Sequence, residues 1–240
     1  MIEIKELSLS LSEKEILQDI NITIKQGEIC TLVGQSGSGK SVLMKTVEGL
    51  FTPQKGNIII DGYDINKISR KQKNKVRRSL AMLFQGSALL DSLDVFQNVA
   101  LPLVEHLDLN NTELIKKVSD CLQLVDLKHT LHIMPSQLSG GMKKRVALAR
   151  AIILQPDYII YDEPTTGLDL VTANEIIELI MMLFKEQKIT PIIITHDFNC
   201  INKVKGRIIM LHDKRIIFDG SFEQFRNSDD KVIKKFQGRN

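Results

Sequence analysis

Eight residues constrain this chain more than any others: "GQSGSGKS", Gly34 to Ser41. They follow the apolar run "EICTLVG" and lead into "GKSVLMKTVEGL", whose apolar residues recur at helical intervals. A strand, a glycine-rich turn and a helix in that order is the setting a phosphate loop requires. Across Gly34, Gln35, Ser36, Gly37, Ser38 and Gly39 the backbone amides can turn toward an anion. Lys40 then reaches the outer phosphates and the Ser41 hydroxyl suits magnesium. A chance glycine turn is the competing reading, and the strand–helix setting argues against it. The stretch predicts a bound nucleoside triphosphate.

The rest of the chain punctuates in keeping with an α/β fold. "IEIKELSLSL", "NITIK" and "NIIIDG" read as strands joined by Gln-Gly, Asp-Gly and Pro-Gln-Lys-Gly turns. From Phe84 to Pro156 the texture turns helical, in "VFQNVALPLVEHL", "TELIKKVSDCLQLV" and "SGGMKKRVALARAIIL". Strand patterns return in "DYIIYDEP", "TPIIITHD" and "GRIIMLHDKRIIFDG", with the helix "VTANEIIELIMMLFKEQ" between the first two. Pro191 is tolerable if it takes the first position of its strand. The expected organisation is one domain over 1–240 with a parallel-sheet core from 1–84 and 157–240. An antiparallel β-subdomain leads that core, and a helical subdomain is inserted at 85–156. The basic run "RKQKNKVRR" from Arg70 reads as a solvated helix face.

Composition narrows the partners. A formal charge of +3 is too small to argue for nucleic acid or an anionic membrane surface, so no nucleic-acid partner is expected. Cys30, Cys121 and Cys200 are far apart and odd in number, which fits reduced thiols in a cytosolic protein rather than disulfides or a zinc site. The opening "MIEIKELSLS" has charges where a secretory signal needs an apolar stretch. "IIELIMMLF" is about half a membrane span, so the chain itself is not expected to cross a membrane.

Three further motifs carry chemistry. In "YIIYDEP" a buried strand delivers Asp162 to the edge of the sheet where α/β folds bind ligands. Asp162 suits a magnesium contact through water, and Glu163 is placed to polarise a water for in-line attack. In "IIITHD", His196 follows another apolar strand and can reach a γ-phosphate at the same edge. His106, His129, His132 and His212 lack that placement and read as structural. Gln85 ends the strand "LAMLF", where an amide can touch magnesium or the attacking water.

"LSGGMKKR", from Leu138, looks like a second anion-binding helix start without the lysine–serine pair of the first. Ser139, Gly140 and Gly141 would offer a hydroxyl and free amides, helped by the helix dipole. Ser139 alone reads as an ordinary N-cap. The segment lies on the inserted helices, so it need not face its own phosphate loop. Two chains head to tail would each offer it to the nucleotide of the other.

"GQSGSGKS", Gln85, "LSGGM", "YIIYDEP", "TGLD" and His196 together resemble an ABC-type ATPase, in order and over nearly the whole chain. The resemblance implies a P-loop ATPase core that binds ATP and Mg2+, forms an ATP-dependent homodimer and drives an integral membrane permease. It gives Asp169 of "TGLD" a role in communication between the two sites. It places Leu11 where many relatives stack an aromatic ring on adenine, which weakens that stacking here.

"FQGSALLDSLDVFQNVALPL", with "LSGGMKKRVALARAI" and "DEPTTGLD", is similar to the ATPases of Mla-type lipid transport systems. The segment after Gln85 would form the groove for a short coupling helix of the permease. Expected partners are then an MlaE-like permease, an MlaD-like MCE-domain protein and an MlaB-like STAS-domain protein. The expected location is the cytoplasmic face of the inner membrane, where the chain would energise phospholipid transport for outer-membrane lipid asymmetry. Competing readings are the ATPase of another importer or exporter, an ATPase of iron–sulfur assembly, and a non-hydrolysing nucleotide switch. Co-purifying partners separate transport from iron–sulfur assembly, and Lys40, Asp162, Glu163 and His196 argue against the switch.

Overall fold

The chain is described here by a computed structural model covering residues 1–239. β1 (Ile2–Leu11) and β2 (Lys14–Ile24) form a hairpin. Its two turn residues, Ser12 and Glu13, both take positive φ, the conformation that matches the right-handed twist of the strands. β3 (Cys30–Val33) leads through the glycine turn to α1 (Lys40–Val47). β4 (Lys55–Ile60) and β5 (Tyr63–Asp64) complete a four-stranded antiparallel sheet in the order β2-β1-β4-β5. α2 (Arg70–Ser79) follows, closed by a reciprocal Ser69–Gln72 cap and burying only Val76, so the basic run is a solvated face.

β6 (Leu80–Leu83) runs into α3 (Val95–His106), α4 (Asn111–Leu124), a 3₁₀ turn at Pro135–Gln137 and α5 (Gly140–Ile152). Val99, Leu103, Val118, Leu122 and Val146 close these helices on one another in a core that continues under the main sheet. The remaining elements are β7 (Tyr158–Asp162), α6 (Leu170–Gln187), β8 (Thr190–Ile194), α7 (Phe198–Val204), β9 (Arg207–His212) and β10 (Arg215–Ser221). α8 (Phe222–Arg226) and α9 (Lys231–Phe236) pack under β9 through Phe225 and Ile233. No helix among the described residues is long and apolar enough to cross a membrane.

The six-stranded sheet has the order β10-β9-β3-β8-β7-β6, and only β10 is antiparallel to its neighbour. β3, β7 and β8 are buried along their whole length, which explains their near-continuous apolar sequences. Because the central strands are parallel, the glycine turn, Gln85, Asp162 and His196 all leave from the same edge of the sheet. The Pro191 expectation needs correcting. Thr190, not Pro191, opens β8, because its N–H donates to Asp157 O at 2.9 Å. Proline is still accommodated: β3 pairs with β8 only from Ile192 onward, so the missing N–H falls just outside that ladder.

Candidate active site

The turn after β3 is shaped for an anion. Gly34 has φ 153°, and a Cβ there would stand 2.3 Å from the Leu211 carbonyl oxygen, so only glycine fits. No side chain caps the N-terminus of α1, which leaves its positive dipole end toward the loop. Ser38 Oγ is buried with no hydrogen-bond partner, an orphan that a phosphate oxygen would satisfy. Lys40 is 6% exposed and its Nζ donates to Gly34 O and Gln35 O at 2.9 and 3.0 Å, spanning its own loop. Burial pushes its pKa down, and Glu163 and Asp162 pull it back.

Ser41 Oγ donates to Asp162 Oδ1 at 2.9 Å. Burial raises the Asp162 pKa, while the Ser41 bond holds it down. A hydroxyl and a carboxylate are the hard oxygen donors that suit Mg2+, which takes one or two protein ligands and completes its shell with water and phosphate. Among the described residues no three His, Cys, Asp or Glu side chains are grouped to hold a metal ion by themselves.

Glu163 sits in the left-handed region at φ 49°, held there by its own N–H to Ile194 O at 2.9 Å. Non-glycine backbone in that region is costly and needs surroundings that fix it. The carboxylate meets three groups: His196 Nδ1 at 2.7 Å from Oε1, and the hydroxyls of Thr166 and Thr195 at 3.3 and 3.4 Å from Oε2. Glu163 is buried whereas the His196 side chain is 58% exposed, so the pair faces out of the sheet edge. A carboxylate so fixed can polarise a water.

The other expected residues share no side-chain hydrogen bond with this cluster among the described residues. Gln85 is exposed, and its carbonyl rather than its amide is engaged, by Lys144 Nζ. Leu11 ends β1 opposite Lys14 and is half-buried. Nearby Ile16 packs where a Gly39 Cβ would stand, at 3.2 Å, so the wall beside the loop is aliphatic. Ser139 caps α5, its Oγ accepting from Met142 N at 3.3 Å, and Ser139 and Gly140 are exposed. Gly141 is buried, and a Cβ there would stand 2.5 Å from Thr172 Cγ2. Asp169 caps α6: it accepts from Val171 N and Thr172 N at 2.9 and 3.0 Å, and from Thr172 Oγ1 at 2.7 Å. Those bonds, the hydroxyl first, hold its pKa low. Thr172 therefore joins the "SGG" turn to Asp169, forming a second surface that shares no hydrogen bond with residues 34–41 among the described residues.

Sequence reasoning passed over Lys144, Thr166 and Thr195. The two threonines had a faint signal, lying at i+3 from Glu163 and just before His196. Lys144 had none, since a lysine in "MKKR" reads as solvent-facing, yet it is 4% exposed.

Residues 17–166 match the family model described as ABC transporter. The intermembrane phospholipid transport ATP-binding protein MlaF of Haemophilus influenzae is 36% identical over 236 residues, covering 98% of this chain and 89% of that protein. The probable ribonucleotide transport ATP-binding protein mkl of Mycobacterium leprae is 38% identical, over 98% of this chain and 68% of that one. The dimeric post-hydrolysis structure of the ATP-binding cassette MJ0796, bound to ADP and Pi, superposes with a TM-score of 0.83 at 32% identity. That superposition covers 92% of this chain and 99% of the other. With its phosphate turn, its paired carboxylates and a family match over most of its length, the chain belongs to the ABC transporter family as one of its ATPase cassettes.

Proposed function

We propose that this ATPase energises phospholipid movement as the ATP-binding subunit of an Mla-type transporter. It would act on the cytoplasmic face of the inner membrane beside an MlaE-like permease, an MlaD-like MCE-domain protein and an MlaB-like STAS-domain protein. The observation that carries the substrate class is the likeness to the Haemophilus influenzae MlaF along 98% of the chain. The mkl likeness is slightly higher in identity, 38% against 36%, but leaves about a third of that protein unmatched, given 68% coverage. A permease contact is supported by the segment after Gln85, which exposes Leu90, Leu101 and Val104, the last to 65%. A permease helix seated there would cover these apolar side chains.

In this reading each nucleotide lies between two chains. One supplies the turn from Gly34 to Ser41, with Lys40 on the outer phosphates, and the other supplies Ser139, Gly140 and the start of α5. Ser41 and Asp162, with Gln85 beside them, would hold Mg2+, which neutralises charge on the phosphates. Glu163 orients and polarises the attacking water while His196 holds Oε1 of that carboxylate and faces the γ-phosphate. Leu11 and Ile16 offer the base an aliphatic wall. Asp169 links the two sites through Thr172.

Glu163→Gln tests the catalytic assignment: it should bind ATP, turn over very slowly and accumulate as a dimer on size exclusion. Turnover at the wild-type rate would refute it. The transport reading is tested by tagging the chain and isolating it from its own membranes. A permease, an MCE-domain protein and a STAS-domain protein should co-purify. Capture of iron–sulfur scaffold proteins instead would overturn that reading.

A further inference from the structure

Helix α5 holds the two loops of the catalytic edge through two cations, Lys144 buried and Arg150 half-buried. Lys144 Nζ donates to the carbonyl of Gln85 and, at 3.4 Å, to that of Glu163. Six residues further along, Arg150 donates to Ser87 O and Ala88 O at 2.9 and 2.8 Å. Ser87 and Ala88 both have left-handed φ, so Arg150 fixes an otherwise unfavourable pair of residues.

Lys144 is the unusual member of this set. An ammonium is strongly hydrated, and burying one is costly unless its donors are matched. Here its matched acceptors are backbone carbonyls of the two residues that carry the reactive amide and carboxylate. Glu163 has a left-handed backbone, held on its amide side by Ile194 O and on its carbonyl side by Lys144. The same helix is capped by Ser139, five residues earlier, or about 7.5 Å along the axis at 1.5 Å per residue. A rigid helix that shifts when its first turn meets an anion must move the ammonium, and with it both carbonyls.

We infer that Lys144 is a positioning residue that reports the occupancy of the partner chain's nucleotide to Glu163 of its own chain. This rests on the reading that Ser139 faces the partner's nucleotide and that Glu163 activates the water. Without nucleotide at the partner's loop, α5 is free to relax and the Glu163 backbone with it. With nucleotide bound, Lys144 draws Gln85 and Glu163 into register together. Hydrolysis at one site thereby depends on binding at the other, through a path inside one chain.

The test is Lys144→Met, which keeps the apolar stem and removes the donors, beside Lys144→Arg, which keeps a cation. Each is measured in the transporter reconstituted with its permease. Lys144→Met should retain nucleotide affinity, should still dimerise in a Glu163→Gln background, and should lose kcat by about tenfold to a hundredfold, the scale of a small misplacement of a reacting group. Its Hill coefficient for ATP should fall toward one, and Lys144→Arg should restore both rate and cooperativity. Wild-type rate and cooperativity in Lys144→Met would overturn the inference. So would a lowered rate with the Hill coefficient intact, which marks a purely structural lysine. If Lys144→Met does not fold, Lys144→Arg decides through the Hill coefficient: retained cooperativity supports the path, and wild-type rate without cooperativity overturns it. Failure of the underlying reading shows separately, as full turnover in Glu163→Gln or unchanged dimerisation in Ser139→Ala.

Discussion

His196 Nδ1 lies 2.7 Å from Glu163 Oε1, across the gap between the ends of β8 and β7. The contact leaves Oε2 to the hydroxyls of Thr166 and Thr195, so among the described residues His196 is the side chain that fixes Oε1. His196→Ala should lower kcat by about a hundredfold, with KM for ATP changed far less, because positioned acid–base groups contribute on that scale. Thr195→Val should cost much less, since Thr166 still bonds the same oxygen. Steady-state kinetics on the three proteins checks this. Equal losses for His196→Ala and Thr195→Val would place the constraint elsewhere.

The approach of Gly141 to Thr172 makes a second prediction. A Cβ at Gly141 would stand 2.5 Å from Thr172 Cγ2, which is closer than such atoms come. Gly141→Ala should destabilise the chain by about 1–3 kcal/mol, the usual cost of overpacking. Thr172→Ser removes the offending methyl and keeps the hydroxyl that bonds Asp169. Added to Gly141→Ala, it should return most of that loss in urea melts. A double variant no more stable than Gly141→Ala alone would show that another contact sets the requirement for glycine.

These two relationships show what the sequence could and could not carry. The phosphate turn, the buried carboxylate strand and the helical stretches are local patterns, and local chemistry produces them. The order of the sheet is not local: β3 lies between β8 and β9, strands more than 150 residues away in sequence, and no spacing rule encodes that. Lys144 shows the same limit at one residue. Its type suggests solvent, and only the fold brings two carbonyls to it. The misjudged start of β8 arose from a single hydrogen bond between Thr190 and Asp157 that only the folded chain makes.

Glu48 predicts a pH dependence. It caps the C-terminus of α1 and lines a cavity of about 550 Å³ with Leu50, Val76, Arg77, Phe84 and His106. Burial pushes its carboxyl up to about 7, against the pull of Lys45 and Arg77. The folded chain therefore binds more protons than the unfolded one between the ordinary carboxylate range and pH 7. Stability contributed here falls as pH rises through that window. Glu48→Gln should gain on the order of 3 kcal/mol over the wild type at pH 8, and nothing at pH 4. Melting curves at both values check it, and an equal gain at both would remove the carboxyl as its cause.

The Ser41–Asp162 bond bears on metal dependence. With the hydroxyl donating to Oδ1 at 2.9 Å, both oxygens occupy the corner between α1 and β7 where a hard cation would find them. Asp162→Asn removes the charge that holds such an ion, and turnover should fall to background at any Mg2+ concentration. Ser41→Ala removes only a neutral donor, so the Mg2+ needed for half-maximal turnover should rise by about tenfold, the lower end of losses seen when metal-site groups are changed. Chelation by EDTA should abolish turnover in the wild type while leaving ATP binding measurable, because in the proposed reading Lys40, the loop amides and the start of α1 would contact phosphate without the metal. Turnover that persists in EDTA, or an unchanged Mg2+ requirement in Ser41→Ala, would mean that this corner does not hold the ion.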